Sequence, residues 1–401
     1  MKTTFLTMLL LAVGQCLMAG QLTVQVARQR AAAMLGSDER LQLVLQGTGE
    51  QPAYYVFNRP EGKGFAIVGG DDRMERLLGW GDKGSIDPAD MPPALLEWLE
   101  QCERQVVLLR EGKASLRRAV RRAAPIAPMI TTEWGQRSPY NDLTPYYEGE
   151  YHSATGCLAT AMAQLLKYWH SATPTAPIPA YTTETLGIRM EALPATTFNY
   201  DIMLDSYGGI YAPESAQEVA RLMLYCGQAA EMDYDFDSGA VTSGKYLARY
   251  FGFRTDYTDK YHATHLSDWE GLLYEELEAG RPMLYSGKKI TGAGHVFVVD
   301  GYKDGYFHVN WGWYGSSNGY FDITLANPDD PDSAYLWEGY RWTQMAVIGL
   351  QPAASTAVRP IVSTPTADNG EEVVYDLQGR RVAHTKNKGV YIVNGRLRII
   401  K

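Results

Sequence analysis

Residues 152–170 read HSATGCLATAMAQLLKYWH, and the position of Cys157 in this stretch decides how the rest of the chain is interpreted. From Leu158 onward the apolar residues recur every three or four positions, which predicts a largely buried helix. Cys157 stands at the start of that helix, directly after Gly156. Unpaired backbone N–H groups and the helix dipole favour a thiolate at such a position. Cys157 is therefore a candidate nucleophile, and a cysteine that only packs the first turn is the alternative.

The composition and the first residues together predict an exported globular protein. The chain has 401 residues, of which 45% are hydrophobic, and a net charge of −9, so it offers no basic surface for nucleic acid. Residues 1–20 have the pattern of a secretory signal, in which Lys2 precedes an apolar run that ends in small residues near Ala19. No later stretch is long enough to span a bilayer. We expect a secreted or cell-surface protein without a membrane span.

Cysteine is scarce in this chain. Cys16 would leave with the signal segment, and Cys102, Cys157 and Cys226 are too few and too widely spaced for a disulfide framework. At least one thiol therefore stays free in an oxidising compartment. Cys226 lies within an apolar helical stretch and is expected to be an inert core thiol.

Composition shifts divide the remaining chain into three segments. Residues 21–125 contain a helical run, two strands and a second long helical run, and they end in the basic, proline-bearing stretch SLRRAVRRAAPIAP. That stretch is typical of an exposed linker that proteases can reach. Residues 126–352 hold six of the seven histidines. Residues 353–401 begin with a Pro/Ala/Ser/Thr linker and then alternate apolar and polar residues, which predicts a small β module.

A proton acceptor for the thiol is predicted in the stretch GAGHVFVVDGYKDGYFHVNWGWYG, residues 292–315. His295 heads an alternating strand, and a turn at Asp304 leads into a second strand. If the hairpin is antiparallel about that turn, His295 lies across from the Asn310–Trp313 region. An amide there could orient the imidazole, and an indole could shield the hydrogen bond from water. A structural histidine is the alternative, and His308 on the returning strand is a second candidate base.

Gln136 is the remaining candidate of the site. It lies upstream in the stretch EWGQRSPYND, residues 133–142, and its side-chain amide could donate to a developing oxyanion beside the backbone N–H of Cys157. Taken alone, a glutamine in such a turn is an ordinary surface residue. It becomes a candidate because of the chain order Gln, Cys, His, Asn.

That order and its surroundings resemble the streptopain family of papain-like cysteine peptidases. The resemblance rests on WGQRSPYN, ATGCLATAMAQLLKYW, GQAAEMDYDFDSGA, GHVFVVDGY and FHVNWGWYGSSNGYFDI, which together span residues 134–323. The stretch GFAIVGGDDRMERLLGW, residues 64–80, is similar to the inhibitory propeptide of the family. The tail resembles the C-terminal sorting modules of proteins exported by Bacteroidetes.

The resemblance implies an α+β papain-like fold, with a helical lobe and a twisted antiparallel sheet, preceded by an α+β inhibitory prodomain. It implies secretion as a zymogen that is cleaved near the basic stretch, and endopeptidase activity with an apolar preference two residues before the scissile bond. Within the basic stretch, Arg117–Arg122 is our candidate for the maturation cut. Protein or peptide substrates and the chain's own propeptide are the implied partners, and no cofactor is implied.

The resemblance also implies roles for individual residues. Cys157 would be the nucleophile, His295 the general base and then acid, and Gln136 the oxyanion donor. Trp311 would flank the histidine and Asn310 would orient it. Two further positions, Ser238 and Gly294, would line the substrate cleft.

Metal binding is the first alternative to this interpretation. Asp233, Asp235 and Asp237 alternate as at the start of a calcium loop, but the sixth position is serine and the twelfth is glycine. His262 and His265 form an H-x-x-H pair that nothing nearby completes as a zinc set. We therefore expect no metal site.

Two other classes of protein remain open at this stage. One is a secreted binding protein or adhesin built on an inactivated peptidase scaffold. The other is an acyl transferase or amidase that uses the same Cys–His chemistry with a different acceptor.

Overall fold

Residues 20–36, 40–74, 77–112, 124–147, 149–261, 269–288, 294–323 and 344–353 are described in the computed structural model, together with the strand residues 374–375, 381–382, 389–393 and 396–400. The chain divides into two units, residues 1–355 and residues 356–401. Residues 1–19, with most of the predicted signal and Cys16, lie outside the described residues. The same is true of residues 113–123, which contain the predicted cleavage segment.

The first unit contains six α-helices among its described residues: α1 (Val24–Leu35), α2 (Pro93–Arg110), α3 (Cys157–Trp169), α4 (Pro213–Ala229), α5 (Lys245–Tyr250) and α6 (Trp269–Glu278). Its described strands are β1 (Gln42–Gln46), β2 (Tyr54–Asn58), β3 (Phe65–Gly69), β4 (Leu77–Gly81), β5 (Tyr146–Tyr147), β6 (Tyr151–His152), β7 (Tyr181–Thr182), β8 (Arg189–Met190), β9 (Thr258–Tyr261), β10 (Met283–Lys288), β11 (Gly294–Lys303), β12 (Tyr306–Asn310), β13 (Gly319–Phe321) and β14 (Met345–Ile348).

Ten of these strands form one sheet in the order β1-β2-β3-β4-β13-β12-β11-β10-β14-β9, and each neighbouring pair is antiparallel. The pair β4–β13 joins the first 112 residues to the rest, with Tyr320 opposite Trp80 and Phe321 opposite Gly79. The rings of Trp80 and Tyr320 stack at 4.5 Å. The segment predicted as a propeptide and the segment predicted as catalytic therefore share a single sheet.

The helical lobe is built around α3. Its apolar residues pack against α4 in a core that also receives residues from β10, β11 and β14. Leu158, Met162, Leu165 and Leu166 are at most 1% exposed, which confirms the buried helix predicted from their spacing. The expected α+β fold, a helical lobe beside an antiparallel sheet, is observed.

The second core lies between α2 and the sheet. The Trp98 indole packs edge-on against Phe321 at 5.4 Å and donates to the Asp322 carbonyl. Phe297, Val299 and other β11–β13 residues complete this core. The two helices and the two strands expected in residues 21–112 are present, and β1 and β4 are additional.

The second unit contains four short strands, β15 (Val374–Tyr375), β16 (Arg381–Val382), β17 (Gly389–Val393) and β18 (Arg396–Ile400). They form a sheet in the order β16-β15-β17-β18, within the segment for which a small β module is predicted. Among the described residues of the whole chain, no helix is long and apolar enough to cross a membrane.

Candidate active site

Gly156 sets the start of α3 and the approach to the thiol. Its φ of 83° and ψ of 144° lie in a region that side-chain-bearing residues rarely adopt. A Cβ atom at this position would stand 2.6 Å from the Met232 sulfur and 3.1 Å from the Ser238 carbonyl oxygen. The chain therefore needs a glycine here in order to bring Cys157 to the first position of the helix.

The Cys157 thiol lies where the helical lobe meets the sheet. The backbone N–H of Val296, which is 139 positions away in the chain, donates to Sγ at 3.4 Å. The side chain is half-buried. A backbone donor and the N-terminal end of a 13-residue helix both favour a negative charge on the sulfur.

His295 lies beside this thiol on β11, where its backbone pairs with Gly287 of β10. Burial of the imidazole alone would lower its pKa. The hydrogen bonds to the Cys157 thiol and the Glu97 carboxylate outweigh that effect and raise the pKa from 6.5 to about 9. The imidazole is consequently protonated at neutral pH and can pair with a thiolate.

Glu97 of α2 is a part of the site that sequence analysis missed. Its Oε1 lies 3.5 Å from His295 Nε2, and its side chain is 9% exposed. A carboxylate within the apolar face of α2, between Ala94 and Trp98, is the signal that could have identified it. A second contact joins residues 21–112 to the stretch that follows β12, because the Trp313 indole N–H donates to the Asp90 carboxylate at 3.0 Å.

Gln136 and Ser238 each lie against the segment that precedes Cys157. The Gln136 carbonyl accepts from the Thr155 N–H at 3.1 Å, and the Gln136 side chain is half-buried. Ser238 Oγ closes a turn with the backbone of Asp235, so the Ser238 carbonyl is the group that faces Gly156.

Gly294 is the first residue of β11, and His308 is the middle residue of β12. Gly294 is exposed at the start of β11, opposite Lys288. His308 instead bonds through Nδ1 to the fully buried Asp300, at 2.6 Å, and that carboxylate also accepts from the Ile130 N–H. The imidazole of His308 is thus engaged with Asp300, whereas that of His295 adjoins the thiol.

The hairpin turns at Asp304 as predicted, with Lys303 opposite Tyr306. A bulge between Val299 and Gly301 places Asn310 opposite Val298, and β12 ends there. His295 therefore has no partner on β12.

The contacts of the Asn310 and Trp311 side chains are with residues other than His295. Asn310 donates to the Thr132 carbonyl at 2.7 Å and accepts from Gln164 and from the Gly312 N–H. The Trp311 indole packs against Phe297 at 4.8 Å and Phe321 at 4.9 Å, and its N–H donates to the Ser317 carbonyl. The roles predicted for these two residues beside His295 stay predictions.

Cys102, Cys226 and Asp233 are engaged in packing or in hydrogen bonds within the fold. Cys102 and Cys226 are buried, and burial raises the pKa of each thiol well above its ordinary value. Asp233 accepts hydrogen bonds from Thr185 and from the Glu184 N–H. Within the described ranges no three His, Cys, Asp or Glu side chains are grouped as metal ligands. The pair at 262 and 265 lies outside those ranges.

A thiol at a helix N-terminus, facing a protonated imidazole on an antiparallel sheet, defines a cysteine peptidase of the papain-like class. The chain belongs to the Peptidase C10 family, whose model matches residues 134–321. A second model, described as a Spi protease inhibitor, matches residues 21–106. The resemblance to the streptopain family is thereby confirmed.

Two relatives illustrate this membership. The chain is 30% identical to streptopain of Streptococcus pyogenes, and the match covers 80% of this chain and 87% of streptopain. It is 31% identical to the thiol protease/hemagglutinin PrtT of Porphyromonas gingivalis over 91% of its own length. That match spans only 46% of PrtT.

Two solved structures have the same fold. A fragment of Prevotella intermedia prointerpain A, carrying a cysteine-to-alanine mutation, superposes with a TM-score of 0.68 at 30% identity. The superposition covers 78% of this chain and 100% of the fragment. Active wild-type interpain A, a cysteine protease of the same organism, covers 58% of this chain and 99% of its own, with a TM-score of 0.50 and 33% identity.

Proposed function

We propose that the chain is a secreted cysteine endopeptidase made as a zymogen, with residues 1–20 as signal, 21–125 as inhibitory propeptide, 126–352 as catalytic domain and 353–401 as linker and sorting-like module. One observation carries the proposal: a thiol at the start of α3 meets an imidazole whose pKa is raised to about 9. Together these groups can form a thiolate–imidazolium pair at neutral pH.

Peptide hydrolysis follows from the proposed roles. The Cys157 thiolate attacks the scissile carbonyl carbon, and the oxyanion receives hydrogen bonds from the Gln136 amide and the Cys157 N–H. His295 gives its proton to the leaving nitrogen as the C–N bond breaks, which leaves a thioester. Water, deprotonated by His295, then attacks the thioester and releases the acid and the thiolate.

The cleft between the helical lobe and the sheet would hold an extended substrate. Ser238 and Gly294 would line it, and an apolar side chain would bind two residues before the scissile bond. Trp311 and Asn310 would support the histidine-bearing hairpin. Support for Ser238 comes from its carbonyl, which lies against the position of Gly156.

The propeptide would inhibit the peptidase by binding the side chain of His295. Glu97 offers the imidazolium a carboxylate partner in competition with the thiolate, and Asp90 holds the Trp313 indole. Cleavage within residues 117–122 and departure of α2 would remove both contacts. The basic composition of that segment supports its assignment as the maturation site.

An irreversible thiol-reactive epoxide tests the proposal. With processed protein we expect mass-spectrometric mapping to place one adduct on Cys157, and casein hydrolysis to fall by about a thousandfold or more in Cys157→Ala. Cys226→Ala, which removes a buried thiol, is the matched control and should retain both labelling and hydrolysis.

Other outcomes would identify the alternative classes. Casein hydrolysis at the parent rate by Cys157→Ala would disprove the nucleophile. Amine incorporation into casein without new N-termini would identify an acyl transferase. Neither labelling nor turnover by correctly folded, processed protein would leave a binding protein on a peptidase scaffold.

A further inference from the structure

A series of contacts connects Gln136 with Ser238 next to the segment that precedes Cys157, and Arg137 is part of it. Arg137 directly follows Gln136, whose carbonyl is bonded to Thr155 two residues before the thiol. On the facing side, the Ser238 carbonyl lies against Gly156, and Ser238 closes the turn that carries Phe236. Arg137 and Phe236 connect the two sides.

The contact between Arg137 and Phe236 holds the guanidinium in place. Nη2 donates to the Phe236 carbonyl at 3.0 Å, and the guanidinium carbon lies 4.4 Å from the centre of the Phe236 ring. The Tyr147 ring packs edge-on against Phe236 at 6.2 Å. The Arg137 N–H donates to the Tyr314 hydroxyl at 2.8 Å, which fixes the backbone.

This cation has unused hydrogen-bonding capacity. An arginine side chain has five N–H donors in a fixed fork, and a single one of Arg137's is bonded among the described residues. Arg137 forms no ion pair with a carboxylate in the described part of the chain. The Asp235 carboxylate accepts from the Phe236 N–H within its own turn, and the Phe236 ring is 57% exposed.

We propose that Arg137, stacked on Phe236, is a specificity-determining residue that favours an acidic side chain on the substrate residue contributing the scissile carbonyl. The inference rests on the proposed function, which puts that carbonyl between Gln136 and Cys157. Consecutive Cα atoms are about 3.8 Å apart, so Arg137 stands one residue from the oxyanion donor. A carboxylate there can receive charge-assisted hydrogen bonds, whereas a lysine or arginine meets a like charge.

The test uses processed enzyme and three peptides that differ only at this residue, which is Glu, Gln or Lys. A charge-assisted hydrogen bond predicts that kcat/KM for the Glu peptide exceeds that for the Gln peptide by about tenfold, with the Lys peptide slowest. In Arg137→Gln the Glu/Gln ratio should fall to about one, and in Arg137→Glu the Lys peptide should become the preferred substrate.

Arg249→Gln is the matched control. Arg249 also stacks on an aromatic ring, that of Tyr250 at 5.2 Å, but it belongs to α5, which carries none of the residues around the thiol. This variant loses the same charge and should keep the parent Glu/Gln ratio. Active-site titration with the epoxide corrects each rate for the fraction of folded enzyme.

The outcomes distinguish failure of the proposed acid-binding subsite at Arg137 from failure of the proposed peptidase function. A Glu/Gln ratio near one in the parent, or a ratio unaltered in Arg137→Gln, overturns the subsite and leaves the peptidase standing. Absence of cleavage and of epoxide labelling at Cys157 overturns the proposed function, and the subsite with it. If Arg137→Gln does not fold, the parent ratio must still decline on going from about 0.05 to 0.5 M salt, and a constant ratio contradicts the proposal.

Discussion

The His295 imidazole has two acidic neighbours, one from each segment of the first unit. Cys157 is the proposed nucleophile, and Glu97 comes from the propeptide-like segment. Both stabilise the protonated ring. The precursor and a released catalytic domain should therefore both keep His295 charged at neutral pH, but with different anions beside it.

Replacing Glu97 should lower the pKa of His295. In a Cys157→Ala precursor, which cannot process itself, Glu97 is the remaining anionic partner from this pair. Because the carboxylate raises the folded pKa of His295 above the ordinary value of 6.5, the stabilisation is complete below about pH 6.5 and is lost as the pH rises through the raised pKa. We expect Cys157→Ala to exceed Cys157→Ala/Glu97→Gln by about 1–3 kcal/mol in free energy of unfolding at pH 6.5, and by less at pH 9.

NMR titration of the imidazole and urea unfolding at the two pH values measure these effects. Glu103→Gln is the control on the same helix, because the Glu103 carboxylate accepts hydrogen bonds from Thr48. It should leave the pKa of His295 unaltered. An identical pKa with and without Glu97 would show that the carboxylate does not act on the imidazole.

For single residues, the sequence predicted the thiol and the imidazole of the site but not the carboxylate that contacts the imidazole. Cys157 and His295 could be paired because helix periodicity, strand alternation and glycine placement each follow local rules. Glu97 could not be assigned to His295 in that way. Its contact depends on how α2 lies across the sheet, which no local pattern specifies.

At the scale of the elements, the start of α3 depends on the backbone conformation of Gly156. Gly156→Ala should lower the free energy of unfolding by more than the 1–3 kcal/mol that is typical of a side chain forced into such a conformation, because the new Cβ also meets Met232. Peptidase activity should fall with it, since the same residue positions Cys157. Thermal or urea unfolding and epoxide labelling measure the two effects.

Gly209→Ala is the matched control, because Gly209 has no neighbouring atom within 4 Å of a new Cβ and no positive φ. Its free energy of unfolding should stay within about 0.5 kcal/mol of the parent value. Equal stability of the Gly156 and Gly209 variants would mean that the start of α3 tolerates a side chain.

The hairpin of β11 and β12 shows where prediction from local pattern ends. Asp304 and Gly305 have φ values of 54° and 97°, as a two-residue turn requires, and the turn was predicted from these residue types. The bulge between Val299 and Gly301 was not, because it arises from pairing with neighbouring strands. Without the bulge Asn310 would lie opposite Val299, so this one-residue shift brings it opposite Val298, still three residues short of His295.

The whole first unit is organised by the sheet that passes from β4 to β13 and by the core beneath α2. Cutting the chain within residues 113–123 should therefore leave the two pieces associated. We expect a Cys157→Ala precursor, cleaved at an engineered protease site in this segment, to elute as one complex in size-exclusion chromatography at neutral pH.

Trp98→Ala should make this complex dissociate, because removing a large buried aromatic side chain costs about 3–5 kcal/mol. Leu96→Ala is the control on α2, since Leu96 is 46% exposed. It should leave the complex intact. Dissociation of the cleaved parent protein would show that the shared core is too weak to hold the pieces together.

The pairing of β4 with β13 has a consequence for the enzyme after activation. Departure of the first strands would leave the N–H and C=O groups on one flank of β13 without partners. An exposed edge strand can pair with strands of other polypeptides, and repeated pairing of this kind produces fibrous aggregates. Since β13 extends only over Gly319–Phe321, it offers a template of three residues. Because the exposed edge strand is so short, we expect the peptidase to stay free of aggregates after the first strands have left the sheet.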